Sequence, residues 1–405
     1  MSVPFRPTSE LSPAVVTGFG VASAIGVGAE PFWQAIQSGR NGAHPVRSFD
    51  TSGLRNHIGC EIDDSLFTQP IRDDWAALPR AARLAAIAGT EALAHAGLDP
   101  EGVEGLCVGT TMGDLPEVER ELGQLDLAAG QRKVSEVLET DFATRIARAL
   151  GVRGAALTVA TSCSAGNVAI FRAADLIAAG THSRVLAGGA DAFSELAFIG
   201  FSRMRAMAPE RCAPFARDRK GMLLGEGAGF LVIESLRSAR QRGAPIYATI
   251  AGYGLSCDAC HIATPDPNGR GAATAVGLAL RSAGLQPSEV DYVSAHGTGT
   301  PANDLGESRA CRAVFGEHRP YVSSLKALVG HALGAASALE AVACVMSLRD
   351  QRLMPAWNVD VADPDCDVAL PLPGDGERPR RLDVVLSNAF AFGGNNSCLA
   401  FRRLA

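Results

Sequence analysis

Cys163 stands in TVATSCSAGNVAI, after a strand-like run and where a helical pattern begins. Unpaired N–H groups and the helix dipole at such a position favour a thiolate, lowering the thiol's pKa and making the sulfur a nucleophile. From position alone, a small buried hydrophobe is the alternative. His296 lies in SAHGTGTPANDLGE, a polar glycine–threonine loop directly after a strand, with the hydroxyls of Thr298 and Thr300 beside it. It can point into a cleft, or be a hydrogen-bonded turn histidine. His331 and Lys326 share the apolar segment SSLKALVGHALGAASALE, five residues apart. A lysine and a histidine there are costly unless paired or useful. Asp304 and Glu307, three apart, are the carboxylates expected to partner Lys326. A nucleophilic sulfur with imidazoles nearby is the equipment of covalent acyl transfer.

Other chemistries lose their motifs. GFGVASAIG (18–26) has Ser23 where a dinucleotide fingerprint needs its third glycine. There is no GxSxG elbow and no GxxxxGK[ST] loop. Cys257 and Cys260 form one CxxC beside His261, without the second CxxC that a four-ligand zinc site would use. GEGAG (225–229) reads as close backbone packing. The remaining histidines, His261 among them, read as ordinary.

The elements that must position these residues alternate. Strand-like AVVTGFGVA (14–22) is followed by helical 79–98, strand-like GLCVGT (105–110), helical 167–180 and strand-like SRVLAGGADA (183–192). That alternation predicts an α/β fold with buried sheets. The plan then repeats. VTGFGVAS (16–23) is echoed by IAGYGLSC (250–257), AGLDPEGVEGLCVGTT (96–111) by AGLQPSEVDYVSAHGT (283–298), and VLAGGADAF (185–193) by VVLSNAF (384–390). Three echoes in one order predict two duplicated halves, 1–245 and 246–405, with a site between them.

Composition agrees with a large globular core: 405 residues, 47% hydrophobic and 20% charged. A net charge of −6 gives no global basic field, so nucleic acid is not an expected partner. No apolar stretch is long enough to span a bilayer, and the start MSVPFRPTSELSPAVV lacks a signal-peptide pattern. Ten scattered cysteines suggest a reduced, cytoplasmic setting.

Taken together, TSCSAG, PFARDRKGMLLGEGAG, HGTGTPAND, SLKALVGHALGAASALE and NAFAFGG, in this order, resemble the β-ketoacyl-acyl-carrier-protein synthases of the I/II type. These are the elongating condensing enzymes of the thiolase superfamily. The resemblance spans nearly the whole chain and implies a five-layered α-β-α-β-α thiolase fold. It implies that Cys163 takes the acyl chain, and that the backbone N–H groups of Cys163 and Phe392 form an oxyanion hole. It further implies that His296 and His331 stabilise the enolate left by decarboxylation of a malonyl thioester. Lys326, with Glu307 and Asp304, would orient His331. Thr298 and Thr300 would hold the phosphopantetheine arm, Phe392 would gate the acyl chain, Met112 would limit its depth, and Arg205 would dock the acidic carrier protein. No metal or redox cofactor is implied, since the pantetheine arm arrives with the substrate. The partners implied are acyl-carrier protein and a second subunit, either identical or a chain-length-factor homologue.

Three positions depart from the family pattern. Ala216 replaces an acidic residue, Ala391 a glycine and Asn395 a threonine. Together with RDRKG and NAFAFGG they resemble the specialised ketosynthases of type II polyketide, polyene and nodulation-type pathways. A catalytically silent partner subunit would lack the nucleophile, which is present here. A hydrolase or simple acyltransferase on the same fold is the other alternative, and Lys326 with two histidines fits decarboxylation better.

Overall fold

The computed structural model describes residues 12–68, 71–123, 140–374 and 381–404; the first eleven residues, most of the stretch expected not to be a signal peptide, lie outside them. The first half contributes β1 (Ala14–Ser23), β2 (Gly105–Gly109), β3 (Ala155–Val159), β4 (Arg184–Asp191) and β5 (Gly227–Ser235). The second contributes β6 (Ala248–Cys257), β7 (Tyr292–Ser294), β8 (Tyr321–Ser323), β9 (Val384–Phe390) and β10 (Asn395–Arg402). The strand order is β3-β2-β4-β5-β1 in one half and β8-β7-β9-β10-β6 in the other. Both read third–second–fourth–fifth–first. Directions match as well: β2 is parallel to β3 and β4, as β7 is to β8 and β9, while the last two pairings of each half are antiparallel. The halves join where β1 meets β6 through Val15–Thr249 and Val16–Ala248. The weak sequence echoes therefore mark one topology used twice.

Helices α1 (Arg80–Ala96) and α2 (Phe142–Leu150) cover the outer face of the first half, and α5 (Arg270–Ala283) and α6 (Pro301–Phe315) that of the second. Between the sheets lie α3 (Ala165–Ala178) and α7 (Ala336–Asp350), and α4 (Glu195–Arg203) follows β4. Every residue of α7 from Ala336 to Leu348 is buried, as a helix walled in on all sides must be. That central pair, two sheets and two outer helical layers make the thiolase-type α-β-α-β-α stack. Where α3 crosses α7, a Cβ on Gly166 would sit 2.6 Å from the backbone nitrogen of Ala338, so only glycine admits the approach. The GEGAG run behaves alike, with Gly229 packed on the Ala338 backbone. Among the described residues, no helix is long and apolar enough to cross a membrane.

Candidate active site

Each central helix is led in by a tight turn, and the chemistry sits on those turns. Ser162 adopts φ 53°, a left-handed conformation that costs a non-glycine residue ~1–3 kcal/mol, and it lifts Cys163 to the head of α3. The backbone N–H groups of Cys163 itself and of Phe392, which arrives from the loop after β9, both act to lower the pKa of the Cys163 thiol. Two N–H groups of opposite halves thus converge on the sulfur. The thiol is nonetheless not acidified, contrary to the expectation from helix position. Burial pushes its pKa up to about 11, outweighing the pull of Lys326 and of the two N–H groups. Alkylation of Cys163 by iodoacetamide, read by peptide mass, should therefore rise about tenfold per pH unit from 7 towards 10. A rate flat above pH 8 would mean that the resting thiol is acidic after all.

His296 follows β7, and its position is fixed from α6: Glu307 accepts the backbone N–H groups of His296 at 2.9 Å and Gly297 at 2.8 Å. Asp304 accepts from Phe215 N at 2.8 Å and Gly299 N at 3.2 Å, with the Arg219 Nε 3.7 Å away. Both carboxylates brace loops, and burial raises their pKa values to about 7 and about 6. Neither pairs with Lys326. The partner of that lysine is Glu340, buried on α7, and Lys326 Nζ lies 3.3 Å from Nδ1 of His296 rather than beside His331. The reason is direction: Glu307 spends its oxygens on backbone donors, whereas Glu340 lies one helix layer away facing the lysine. Burial raises the Glu340 carboxyl to about 7, with Lys326 pulling the other way.

His331 takes its place from the second tight turn. The N–H of Leu333 donates to His331 Nδ1 at 3.2 Å, and the backbone N–H of His331 donates to Leu223 O at 2.7 Å. The two imidazoles stand edge to face with centroids 5.4 Å apart. Both have their pKa pushed well below the usual value, by burial first and then by Lys326. Since Nδ1 of each ring faces a donor, each neutral imidazole carries its proton on Nε2.

Cys163, His296 and His331 open on one cavity of about 610 Å³, walled also by Thr298, Thr300, Phe390, Phe392 and Asn396. The hydroxyls of Thr298 and Thr300 are 2.9 Å apart on its polar side. Phe392 is 37% exposed and its ring lies 5.6 Å from that of Phe201, at the mouth. The flanking Ala391 has φ −107°, an extended backbone where alanine restricts the loop more than glycine would. Asn395 donates from Nδ2 to Phe392 O at 3.3 Å, and Ala216 is buried, with its carbonyl taking Arg219 Nη1 at 3.0 Å. Arg205 is exposed at the rim with Lys220, and among the described residues neither pairs with a carboxylate.

Met112 is not on the cavity wall. It packs against a cluster of Phe193, Phe198, Met207, Leu224 and Leu333. His261, read as ordinary, does line the cavity, its Nδ1 accepting from Ala263 N at 3.0 Å and Thr264 N at 2.9 Å. Cys257 Sγ faces Gly393 O at 3.5 Å and is no part of a metal cluster among the described residues. Two residues escaped the sequence reading, Glu340 and Lys220. Glu340 did carry a signal, as a lone charge inside ASALEAVACVMSL.

The sequence pattern described as "Beta-ketoacyl synthase, N-terminal domain" matches residues 12–239, and "Beta-ketoacyl synthase, C-terminal domain" matches 247–360. Among curated proteins, 3-oxoacyl-[acyl-carrier-protein] synthase 2 of Synechocystis is 37% identical, covering 96% of this chain and 97% of that protein. Nodulation protein E of Rhizobium meliloti is 38% identical over 96% of this chain and 99% of its own. Among solved structures, the ishigamide ketosynthase/chain length factor superposes with a TM-score of 0.89 at 38% identity, covering 98% of this chain and all of that one.

Proposed function

Because the chain belongs to the β-ketoacyl synthase family, we propose that it is a 3-oxoacyl-[acyl-carrier-protein] synthase that elongates a carrier-bound acyl chain by decarboxylative condensation. The observation that carries this reading is the pair of neutral imidazoles on the cavity of Cys163, each with Nδ1 engaged and Nε2 left to donate. Two N–H donors and no free imidazole acceptor suit the stabilisation of an oxyanion better than the activation of a hydrolytic water.

Cys163 sulfur attacks the acyl thioester, the carrier thiol leaves with the cysteine's proton, and the N–H groups of Cys163 and Phe392 receive the transient oxyanion. Malonyl thioester then loses carbon dioxide, and the electron pair of the broken C–C bond passes to the thioester oxygen, held by Nε2–H of His296 and His331. That enolate carbon attacks the acyl-Cys163 carbonyl and expels the sulfur, which regains a proton. The product is a β-ketoacyl thioester two carbons longer. Burial, aided by Lys326, keeps both imidazoles neutral, Glu340 keeps Lys326 in place, and Glu307 and Asp304 hold the histidine and threonine loops. Thr298 and Thr300 would receive the pantetheine arm, which comes with the substrate, so no resident cofactor is required. The unpaired Arg205 and Lys220 give a chain of net charge −6 a local basic rim for an acidic carrier protein.

Similarity to nodulation protein E and to the ishigamide ketosynthase supports a specialised polyketide, polyene or nodulation-type substrate. The edge strand β3 leaves Ala155 and Leu157 exposed, Leu157 by 42%, which supports pairing with a second subunit, identical or a chain-length-factor homologue. All ten cysteines are free, in keeping with a reduced cytoplasmic setting.

The test is intact-mass spectrometry with a panel of acyl-carrier proteins, followed by malonyl-carrier protein. An adduct on Cys163 that vanishes as a two-carbon-longer β-ketoacyl product forms is the expected result. An adduct that hydrolyses without release of carbon dioxide would make the protein a hydrolase instead.

A further inference from the structure

The duplicated plan gives the molecule two anion-binding turns, and only one of them is free. The turn before α3 holds Ser162 at φ 53° with Cys163 next; the turn before α7 holds Leu333 at φ 52° with Gly334 next. Gly334 is thus the counterpart of Cys163. The strands agree. Val185 of β4 pairs with Gly105 and Val385 of β9 pairs with Tyr292, the matching places of the two halves, so Asp191 corresponds to Ala391.

In the condensing reading, the N–H groups of Cys163 and Phe392, the residue after Ala391, receive the thioester oxygen over Cys163. At its counterpart, a protein carboxylate already sits. Asp191 is fully buried and accepts from Gly334 N at 2.7 Å, Met112 N at 2.8 Å, Thr111 N at 2.9 Å and the hydroxyl of Thr110 at 2.7 Å. A Cβ on Gly334 would come within 2.8 Å of Asp191 Oδ2, so the turn closes on this carboxylate only as glycine. Gly334 adjoins Leu333, whose N–H holds Nδ1 of His331. Asp191 comes from the first half, His331 from the second.

We propose that Asp191 is a positioning residue: its carboxylate plugs the second oxyanion-type turn and so fixes Leu333 against His331, aiming the Nε2–H of His331 into the cavity. This rests on the condensing reading above. It explains why β4 ends in an acidic residue while β9 is followed by alanine: the turn before α7 must be filled permanently, and the turn before α3 must be vacant for the thioester oxygen.

The test separates the two half-reactions in the Asp191→Asn variant. The amide replaces an acceptor facing N–H donors with a donor, without a large change in volume. Acyl loading on Cys163, read by mass, should change little, while malonyl decarboxylation falls about 100-fold, the scale of an ångström-sized misplacement. Thr110→Val, which removes one donor and leaves the carboxylate, should cost decarboxylation about fivefold. It also serves if Asp191→Asn fails to fold. Imidazole ¹⁵N spectra give a readout independent of turnover: in Asp191→Asn the His331 Nδ1 signal should lose its hydrogen-bonded shift while that of His296 stays. Equal losses in both half-reactions, or an unmoved His331 spectrum, would overturn the proposal. A wild-type protein that loads no acyl chain would instead sink the condensing reading, and the spectra would still decide the role of Asp191.

Discussion

Cys163→Ala should abolish acyl-enzyme formation and elongation with every donor, yet leave the protein folded. The substitution deletes a single buried atom at the head of α3, a loss worth only ~1 kcal/mol of stability. It leaves the Ser162 turn and the Phe392 loop intact, because the bonds that hold those loops run through backbone groups such as Gly393 N to Ile262 O at 2.7 Å and Ala391 N to Asn395 O at 2.8 Å. What disappears is the only thiol on the cavity wall among the described residues. Cys163→Gln should behave differently. Its side-chain carbonyl can reach the two N–H groups that face the sulfur and imitate the acylated state, so malonyl decarboxylation should continue without condensation. Carbon dioxide release from malonyl-carrier protein, measured beside product mass, separates the two variants. Elongation retained by Cys163→Ala would remove that residue from the mechanism.

The sequence carried the reactive residues more fully than it carried their supports. Cys163, His296 and His331 were legible because each breaks the pattern around it: a nucleophile type at a strand–helix junction, a histidine in a glycine–threonine loop, a histidine in an apolar run. The duplicated topology was legible through strand echoes alone, since residues 16–23 and 250–257 fall on β1 and β6 at matching positions. Partnerships were not legible. Glu340 is nearer to Lys326 in sequence than Glu307 is, yet nearness does not decide the pairing: the oxygens of Glu307 on α6 are turned to the backbone of the loop at His296 and Gly297, and the decisive carboxylate rides on α7. Charge balance in a buried layer depends on which helix faces match across it, and spacing along one chain does not encode that. The acidity of Cys163 failed for a related reason. Helix position argues for a thiolate, but desolvation acts on the same sulfur from every side and is the larger effect. Met112 packs with Phe201 against the aromatic cluster of Phe193 and Phe198, a neighbourhood that spacing along the chain does not encode.

Lys326→Ala should be the most damaging of these single substitutions in stability, and it should impair activity as well. Lys326 and Glu340 are each 1% exposed, and removing one partner of such a pair typically costs ~3–5 kcal/mol because the other charge is left buried. The sign of the pH dependence follows. Burial already raises the Glu340 carboxyl, to about 7 with the lysine present, and losing Lys326 removes the group that opposes this rise. A carboxyl raised above its unfolded value favours the folded state at low pH and loses that contribution as pH climbs through the folded pKa. The variant should therefore be closer to wild type at pH 6 than at pH 8 in denaturant melts. Activity should not follow that recovery. Without Lys326 the thiol of Cys163 loses the largest influence that lowers its pKa, and both imidazoles lose a positive neighbour that keeps them neutral. The double variant Lys326→Met/Glu340→Leu isolates the chemistry, since replacing a buried pair by apolar side chains of similar volume is often neutral or stabilising. It should melt near the wild type and still load and decarboxylate poorly. A double variant that regains both stability and decarboxylation would reduce Lys326 to a counter-ion for Glu340 and leave the tuning of the two histidines to burial alone.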